Sequence, residues 1–341
     1  MSNLLTDNSS NALGSGAMDN ISDVSGPSDI ERILVPILDT FILVAGVVGH
    51  ILVITVICRM LKRGQASGPT TGGVQDTSAN GTDILLLSLS VSDLLLLSCI
   101  PYHTVTIATH HWPFGSFMCK AVSFLGAMCT SASAFTLAAL AFSRFLTVVH
   151  PSKAYRWRQG RRIKLATAAL WLPAIVLALP QFSWRTLVSA SGTHTTRQDM
   201  TCFHFLSDTS QIAYGMCHFM FAFALPLGVI VVAYGKIYNF LRKTRRGRTG
   251  QADRLESYQT QVTQTSVLLV LGFALCWLPS YGLMLAQFAD HSTVTRPSPP
   301  YGALATFARV TSISSTVVNP ILYVFMSQKF RKELKKLFGR D

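Results

Sequence analysis

One stretch of this sequence, from Cys119 to Pro151, has a length and a composition that few folds can accommodate. It contains no charged residue between Lys120 and Arg144. Because an α-helix rises about 1.5 Å per residue, Cys119 and Arg144 would lie roughly 38 Å apart along a continuous helix. This length exceeds the ~30 Å hydrocarbon thickness of a bilayer. One helix could therefore cross a membrane with a cysteine near one face and an arginine near the other.

Seven apolar segments of this kind follow one another, each near the ~20 residues that a membrane-crossing helix requires. They cover residues 33–58, 84–105, 117–149, 163–182, 211–241, 260–289 and 301–326. With 49% hydrophobic and 13% charged residues, the composition is typical of an integral membrane protein. The sequence predicts an all-α membrane protein: a disordered extracellular tail over 1–32, a seven-transmembrane helix bundle over 33–326, and a short cytoplasmic amphipathic helix within 327–341.

The distribution of positive charge predicts the orientation of this bundle. The formal net charge is +13, and 23 of the 29 Lys and Arg residues lie on one side of the membrane, in the connecting segments after the first, third, fifth and seventh spans or in the adjoining span ends. Cytoplasmic loops carry the excess of Lys and Arg. We therefore expect these loops in the cytosol, the N-terminus outside and the protein in the plasma membrane. Because the charge is partitioned by topology, nucleic acid is not expected as a partner.

The segments between the spans are polar. The tail contains glycosylation sequons at Asn8 and Asn20, predicted sites of modification, whereas the sequon at Asn80 lies on the predicted cytosolic side. Residues 65–82 are rich in Gly, Ser and Thr, which favours a flexible loop. Residues 184–202 contain loosely alternating Thr and Val around a Ser-Gly pair, so a hairpin over the outer mouth of the bundle is predicted.

The C-terminal segment predicts a helix that lies on the inner leaflet. Phe330, Leu334, Leu337 and Phe338 fall on one face of a helix within 327–341, and Lys and Arg fall on the others. Such a helix binds a membrane by burying its apolar face and by attraction to anionic lipid. Membrane lipid is therefore a predicted partner.

Several spans contain polar side chains at depths where a charge costs about 2.5 to 3.5 kcal/mol on insertion scales. Asp93 lies in the second span, Ser133 in the third and Asn319 in the seventh. Together they predict a hydrated pocket for a small cation such as sodium, with Asp93 as its charged metal ligand. The alternative is a neutral Asp93 whose hydrogen bonds only hold helices together.

His50 in the first span lies level with Asp93 if both helices cross the membrane fully. We hypothesise a contact between these two side chains, in which proton uptake by His50 would compete with cation binding. The alternative is a histidine that only packs and forms hydrogen bonds.

Seven cysteines are present, and the predicted topology places only Cys119 and Cys202 near the outer face. These two are the expected disulfide pair, joining the loop after the fourth span to the third span. The other cysteines lie within spans and are expected to be packing residues.

Prolines interrupt several spans, and the sixth is the most informative. Phe273 and Trp277 lie one helical turn apart, just before Pro279. A rotation of the helix at the proline would repack both rings, so this region is either a hinge that transmits a signal or simply a filled core.

Motifs in fixed order connect these features. They are L-S-x-x-D ending at Asp93, Cys119 with Arg144 and Pro151, Trp171, Pro226 with Tyr234, C-W-L-P ending at Pro279, and N-P-I-L-Y from Asn319 to Tyr323. In this combination the chain resembles rhodopsin-like (class A) G-protein-coupled receptors over residues 33–338.

The resemblance implies roles for the matched residues. Arg144 would meet a heterotrimeric G protein when the sixth span swings outward, Trp277 would respond to ligand, and Asp93 with Ser133 and Asn319 would hold an allosteric sodium ion. The implied coupling and switch residues are Ser143, Arg144, Phe145, Tyr234, Phe273, Pro279, Pro320 and Tyr323. Such a protein catalyses no reaction, needs no other cofactor, and has arrestin as a further cytosolic partner.

Two positions depart from the family pattern. The usual Asp-Arg-Tyr is Ser143-Arg144-Phe145 here, and the usual first-span Asn is His50. Without an acidic partner beside Arg144, we expect raised basal activity; a receptor that couples poorly is the opposite possibility.

Residues of the third and seventh spans bear on the class of ligand that such a receptor would bind. Residues 301–326 hold no lysine for retinal, and Gly126 stands where amine receptors have an aspartate. The segment from Trp112 to Leu140 is similar to the galanin and allatostatin branch of peptide receptors, which implies a galanin-like neuropeptide ligand. Ser280 and Tyr281 follow Pro279 where galanin receptors are expected to have histidines.

The predicted ligand pocket lies at the outer ends of the spans. Its residues are Tyr102, His103, Ser123, Phe124, Ala127, Trp277, Tyr281, Phe288, Phe307 and Arg309. Arg309 would pair with a ligand carboxylate, or it would extend toward the lipid headgroups instead.

The sequence leaves two alternative functions open for the whole chain. One is an atypical or constitutively active receptor. The other is a proton- or cation-linked transporter that uses Asp93 and His50, although no internal repeat typical of transporters is found. No hydrolase motif is present.

Overall fold

The computed structural model describes residues 29–66, 76–109, 111–157, 160–189, 200–205, 208–245, 253–289, 302–326, 328–337 and 339. The sequons at Asn8 and Asn20 and the Ser-Gly turn predicted at 191–192 lie outside these residues.

The described residues form a helix bundle with one small hairpin. The helices are α1 (Asp29–Ala66), α2 (Asp76–Leu97), α3 (Ile100–Thr109), α4 (Gly115–Val149), α5 (Pro151–Trp157), α6 (Gly160–Ala169), α7 (Trp171–Trp184), α8 (Asp208–His218), α9 (Leu225–Arg245), α10 (Asp253–Ala289), α11 (Gly302–Met326) and α12 (Gln328–Leu337). A π-helical turn, Phe219–Ala224, joins α8 to α9. The strands are β1 (Arg185–Ser189) and β2 (Met200–Phe205).

These helices give the seven predicted spans. α1, α4, α10 and α11 each form one span, α2 with α3 forms the second, α6 with α7 the fourth, and α8, the π-helical turn and α9 the fifth. Five stretches of the described residues are long and apolar enough to cross a membrane, and Val270–Ala286 in α10 is a shorter apolar segment. The predicted all-α, seven-helix architecture is confirmed.

The second span is broken where a proline enters it. Pro101 has no N–H to donate, and the chain forms a turn at Ser98 and Cys99, where Cys99 N donates to Leu96 O at 3.0 Å. At its other end the span begins earlier than expected: α2 starts at Asp76, inside the segment 65–82 that was predicted to be a loop.

α1 shows how the helices divide their surfaces between lipid and protein. Exposed apolar side chains recur at helical spacing along one face, namely Ile33, Ile37, Phe41, Val44, Val48 and Ile51. The opposite face buries Asp39 and His50. An apolar outer face of this kind is what a helix needs against acyl chains.

Two glycines on α1 allow close helix packing. A Cβ at Gly49 would lie 2.8 Å from Cβ of Pro320, and one at Gly46 would lie 2.7 Å from Cδ1 of Leu97. Small residues let backbones approach in membrane bundles, and here Gly49 brings the neighbouring His50 against α11.

The hairpin and the disulfide are as predicted. β1 pairs with β2 in antiparallel register, with Arg185 opposite Phe205. Cys119 and Cys202 form a disulfide, which fixes β2 to the outer end of α4.

The C-terminal helix is present but partly covered. Phe330, only 5% exposed, belongs to the main core cluster, and Leu334 packs against that cluster. The protein, not lipid, therefore covers part of the apolar face that was predicted to lie on the membrane; Phe338 lies outside the described residues.

Candidate functional site

A buried polar cluster lies at mid-depth of the bundle around Asp93. Asn319 Nδ2 donates to Asp93 Oδ2 at 2.6 Å, and Ser133 Oγ donates to Asp93 Oδ1 at 3.1 Å. Ser133 Oγ also lies 2.8 Å from Ser92 Oγ. The structure thus brings together the three residues that were predicted to share a site, from α2, α4 and α11.

His50 completes this cluster from α1. Its Nε2 lies 2.8 Å from Thr316 O and 3.5 Å from Asp93 Oδ2, the contact that was hypothesised. Because a carbonyl only accepts, Nε2 must carry the proton. Among the described residues His50 Nδ1 has no hydrogen-bond partner, which is the arrangement of a neutral imidazole.

The chemistry of this cluster fits a small hard cation. It contains a carboxylate, a hydroxyl and an amide, and oxygen donors of these kinds suit such ions. One side of the carboxylate, however, faces the N–H of His50. A bound sodium ion would be held by Asp93, Ser133 and Asn319 and would supply positive charge to the carboxylate.

A column of aromatic rings rises from the core toward the outer mouth. The ring centroids of Phe273 and Trp277 are 6.0 Å apart, and those of Trp277 and Tyr281 are 6.2 Å apart. Phe223, on the π-helical turn, lies 4.6 Å from Tyr281. The sixth span therefore contacts the fifth through large rings, a contact that the sequence analysis did not address.

At the top of this column lies a polar group that the sequence analysis missed. His218 Nδ1 is 3.1 Å from the Tyr281 hydroxyl, and His218 Nε2 is 3.3 Å from Ser131 Oγ. Ser131 donates its own proton to Ala127 O at 2.8 Å, so His218 Nε2 donates to Ser131 and Nδ1 accepts from Tyr281. A histidine inside an apolar span was the signal available in the sequence, because intramembrane ionisable residues mark functional sites.

Several of the remaining predicted pocket residues pack against aromatic neighbours or are partly buried. Tyr102 packs edge-on against Phe114 with centroids 5.0 Å apart, and Phe124 packs against Phe182 at 6.2 Å. Ser123 and His103 are partly buried. The side chain of Phe288 is outside the described part of the chain.

Phe307 does not join the others. Its side chain is 57% exposed, whereas Ala308 on the next position of α11 is buried and accepts a hydrogen bond from Ser280. The structure thus places Phe307 away from the bundle interior.

Arg309 has a partner that neither interpretation of the sequence anticipated. It binds Asp39 with both guanidinium nitrogens, NH1 to Oδ1 at 3.2 Å and NH2 to Oδ2 at 2.7 Å. Thr104 Oγ1 donates to the same carboxylate at 2.6 Å. Asp39 is fully buried, so an ion pair within the protein already uses the charge that was assigned to a ligand carboxylate.

Arg185, where the fourth span meets the hairpin, is a second cation near the mouth that was not predicted. Its Nε donates to Gln181 Oε1 at 2.7 Å, and NH1 donates to Cys202 O at 3.5 Å. Burial lowers the pKa of Arg185 to about 10. It therefore remains cationic at neutral pH, beside the disulfide.

The predicted coupling residues lie at the end of the bundle that is expected to face the cytosol. Ser143 is buried and its carbonyl accepts from Thr147, Arg144 is partly buried, and Phe145 lies under Lys236, whose Nζ is 5.6 Å from the ring centroid. Tyr234 packs against the main core cluster. Pro279 and Pro320 lie inside their helices, and the side chain of Tyr323 is outside the described part.

Comparison with known proteins gives consistent matches. The family model described as "7 transmembrane receptor (rhodopsin family)" matches residues 73–323. The chain is 28% identical to galanin receptor type 2 of Mus musculus over 323 residues, which cover 94% of this chain and 80% of that receptor. It is 29% identical to galanin receptor type 1 of Rattus norvegicus over 315 residues (91% and 83%), and 30% identical to somatostatin receptor type 5 of Rattus norvegicus over 319 residues (92% and 80%).

Proposed function

Because the chain belongs to the rhodopsin family of seven-transmembrane receptors, we propose that it binds an extracellular peptide and transmits this binding to heterotrimeric G proteins. As a member of this family it is a multi-pass receptor of the plasma membrane and not an enzyme. The proposed orientation places the N-terminus, with Asn8 and Asn20 glycosylated, outside the cell.

The aromatic column below the mouth is the observation that carries this proposal. A ligand that contacts Tyr281 acts on the hydrogen bond to His218 and on the stack with Trp277 and Phe273, which lies 6.0 Å from Trp277. These rings adjoin Pro279, where the sixth helix can bend. Ligand binding would therefore shift the bundle between two packed arrangements, and the inner end would open toward a G protein.

The peptide class is supported by the relatives and by the mouth. Galanin and somatostatin receptors are named after peptide ligands, and we propose that this chain binds a ligand of similar chemistry. The disulfide from Cys202 holds the hairpin against the third span, beside the proposed mouth. Ser280 and Tyr281 argue for a peptide that differs from galanin where it meets the sixth helix. Because Arg309 is paired with Asp39, an acidic group of the ligand would have to pair with a different cation. Arg185 is such a cation, since both Arg185 and Arg309 lie close to His103.

Sodium at Asp93 and arrestin at the inner face are further parts of this proposal. The ion would stabilise the inactive arrangement by bridging the helices that carry Asp93, Ser133 and Asn319. A protonated His50 would supply a positive charge of its own at the same carboxylate and would compete with the ion.

The experiment is a screen of amidated neuropeptides, galanin and somatostatin included, with dissociation of G-protein subunits as the readout. We expect one peptide class to raise the signal. Tyr281→Phe, which keeps the ring and removes only the hydroxyl that meets His218, should reduce potency about tenfold or less. If no peptide acts on a receptor that reaches the cell surface, the peptide assignment is wrong.

A constitutively active receptor is the second candidate, because Ser143 provides no acidic group beside Arg144. Ser143→Asp should then lower the ligand-free signal, with Thr147→Asp, one turn further on α4, as the matched control. A basal signal that Ser143→Asp leaves unchanged would contradict this candidate.

A further inference from the structure

A cavity with two lysines lies at the inner end of the bundle, outside the aromatic column and the Asp93 cluster. It has a volume of about 320 Å³ and is lined by the inner ends of α4 and α9. Its lining includes Phe145, His150, Lys236, Asn239, Phe240 and Lys243. We propose that this cavity binds the phosphorylated headgroup of an anionic phospholipid of the inner leaflet.

The position of the cavity on α9 points to lipid. Val229 and Val232 are 41% and 57% exposed and form the lipid-facing stripe of this helix. Continued at helical spacing, the same stripe reaches Lys236, Asn239 and Lys243, all exposed. With a rise of about 1.5 Å per residue, Lys236 lies about 6 Å and Lys243 about 17 Å beyond Val232. The face that contacts acyl chains therefore becomes cationic where headgroups begin.

The groups in the cavity suit a phosphate ester. Lys236 and Lys243 are cations. His150, the residue after the end of α4, packs its ring edge-on against Phe145 with centroids 5.7 Å apart. Lys236 Nζ lies 5.6 Å from the ring centroid of Phe145, and this cation–π attraction favours the position of the ammonium group at the cavity. Asn239 adds an amide that can donate a hydrogen bond.

The electrostatics favour a lipid over a neutral occupant. Anionic lipids give the cytoplasmic leaflet a negative surface potential, and basic pockets between helices on that side bind polyanionic headgroups. The volume of about 320 Å³ is sufficient for an inositol phosphate, and the cavity is open rather than enclosed, so the glycerol and acyl chains of a bound lipid need not enter it. This inference rests on the cytosolic orientation proposed above and on no assumption about the extracellular ligand.

The test measures binding of fluorescent phosphatidylinositol 4,5-bisphosphate to the purified full chain in phosphatidylcholine nanodiscs. In Lys236→Gln/Lys243→Gln we expect affinity to fall about thirtyfold, equivalent to about 2 kcal/mol, because each Lys near an anionic surface contributes about 1 kcal/mol. Lys62→Gln/Lys164→Gln removes the same charge from exposed cytosolic positions outside the cavity and should change affinity less than about threefold. Phe145→Leu should weaken binding about threefold through loss of the cation–π contact.

Three results would overturn the proposal. Equal losses in the two double variants would show that only total charge matters. A soluble inositol trisphosphate that binds as tightly as the lipid would identify a free phosphate ester as the occupant. Unchanged lipid binding in Lys236→Gln/Lys243→Gln, together with lost G-protein activation, would assign the cavity to the G-protein surface. Access of an antibody to a C-terminal tag in intact and permeabilised cells tests the orientation separately.

Discussion

Two buried aspartates, Asp39 and Asp93, each lie against a basic side chain on another helix. The two pairs lie at different depths in the bundle, and their basic partners differ in chemistry. Near the proposed outer face, Asp39 of α1 binds both guanidinium nitrogens of Arg309 of α11, and the arginine side chain is 23% exposed. At mid-depth, Asp93 of α2 faces His50 of α1, which is fully buried.

The difference lies in the charge of the partner. A guanidinium is protonated under all physiological conditions, so the outer pair is a permanent ion pair that can anchor α1. An imidazole can change its charge near neutral pH, and Asp93 relies instead on hydrogen bonds from Asn319 and Ser133. The outer pair is therefore suited to fixing the mouth, and the inner cluster to a change of state.

The strongest test of this contrast is Arg309→Leu. It leaves the Asp39 carboxylate buried with Thr104 as its described hydrogen-bond donor, and we expect a loss of about 3 kcal/mol in stability. Thermal and denaturant unfolding in detergent micelles would measure it. In Asp39→Leu/Arg309→Leu no charge is left unpaired, so much of the loss should be recovered. A double variant that is as unstable as the sum of both single variants would show that the pair does not act as a unit.

The second test concerns the approach of α1 to α11. Gly49→Ala places a methyl group 2.8 Å from Cβ of Pro320, whose ring is fixed in its helix, and we expect a cost of about 2 kcal/mol by overpacking. Gly46→Ala meets only the side-chain end of Leu97, which can change rotamer. It is the matched control and should cost less in the same unfolding assay. An equal cost at both positions would contradict this account of close packing.

The third test replaces His50, the side chain that faces Asp93. His50→Asn removes the hydrogen bond to Thr316 O and should cost about 1 kcal/mol in stability. It also removes the N–H that faces the carboxylate, so agonist affinity should become more sensitive to sodium. Titrations of sodium between about pH 6 and pH 8 would measure this, with Asp93→Asn as the insensitive control. If parent and His50→Asn respond identically, His50 does not compete with the ion.

The smallest effect is expected at Thr104→Val. It removes one of the donors to Asp39 and should cost about 1 kcal/mol by the unfolding measurements used for Arg309→Leu. Thr106→Val is the control, because the Thr106 hydroxyl donates to the carbonyl of Tyr102 in its own helix and its loss should cost less. A larger loss at Thr106 than at Thr104 would place the anchor elsewhere.

The sequence predicted contacts between residues best where the chemistry of a residue type allowed few kinds of partner. Asp93, Ser133 and Asn319 were predicted to meet because polar groups in apolar helices need partners, and they do meet. Cys119 and Cys202 were predicted to pair because only they lay near the outer face. Phe273 and Trp277 were expected to lie one helical turn apart before Pro279, and their ring centroids are 6.0 Å apart.

It was least informative where the partner lay on another helix at an unknown rotation. Arg309 was predicted to pair with a ligand carboxylate or to extend toward the lipid headgroups. Asp39 was overlooked because nothing in the sequence specifies how α1 is turned toward α11. His218 was overlooked for the same reason, since its partners Ser131 and Tyr281 lie on two other helices. Phe307 was assigned to the pocket, although the rotation of α11 leaves it exposed.

Seven apolar stretches, a biased distribution of Lys and Arg and a set of ordered motifs determined the class, the number of spans and the family of this protein, because bilayer thickness and backbone hydrogen bonding allow few alternatives. The tertiary structure alone decided that Arg309 pairs with Asp39 and that His218 meets Ser131 and Tyr281. Ion pairing depends on helix rotation and close approach within a few ångströms, and these are set jointly by all the packed surfaces, such as Gly49 against Pro320, and not by any local stretch of sequence.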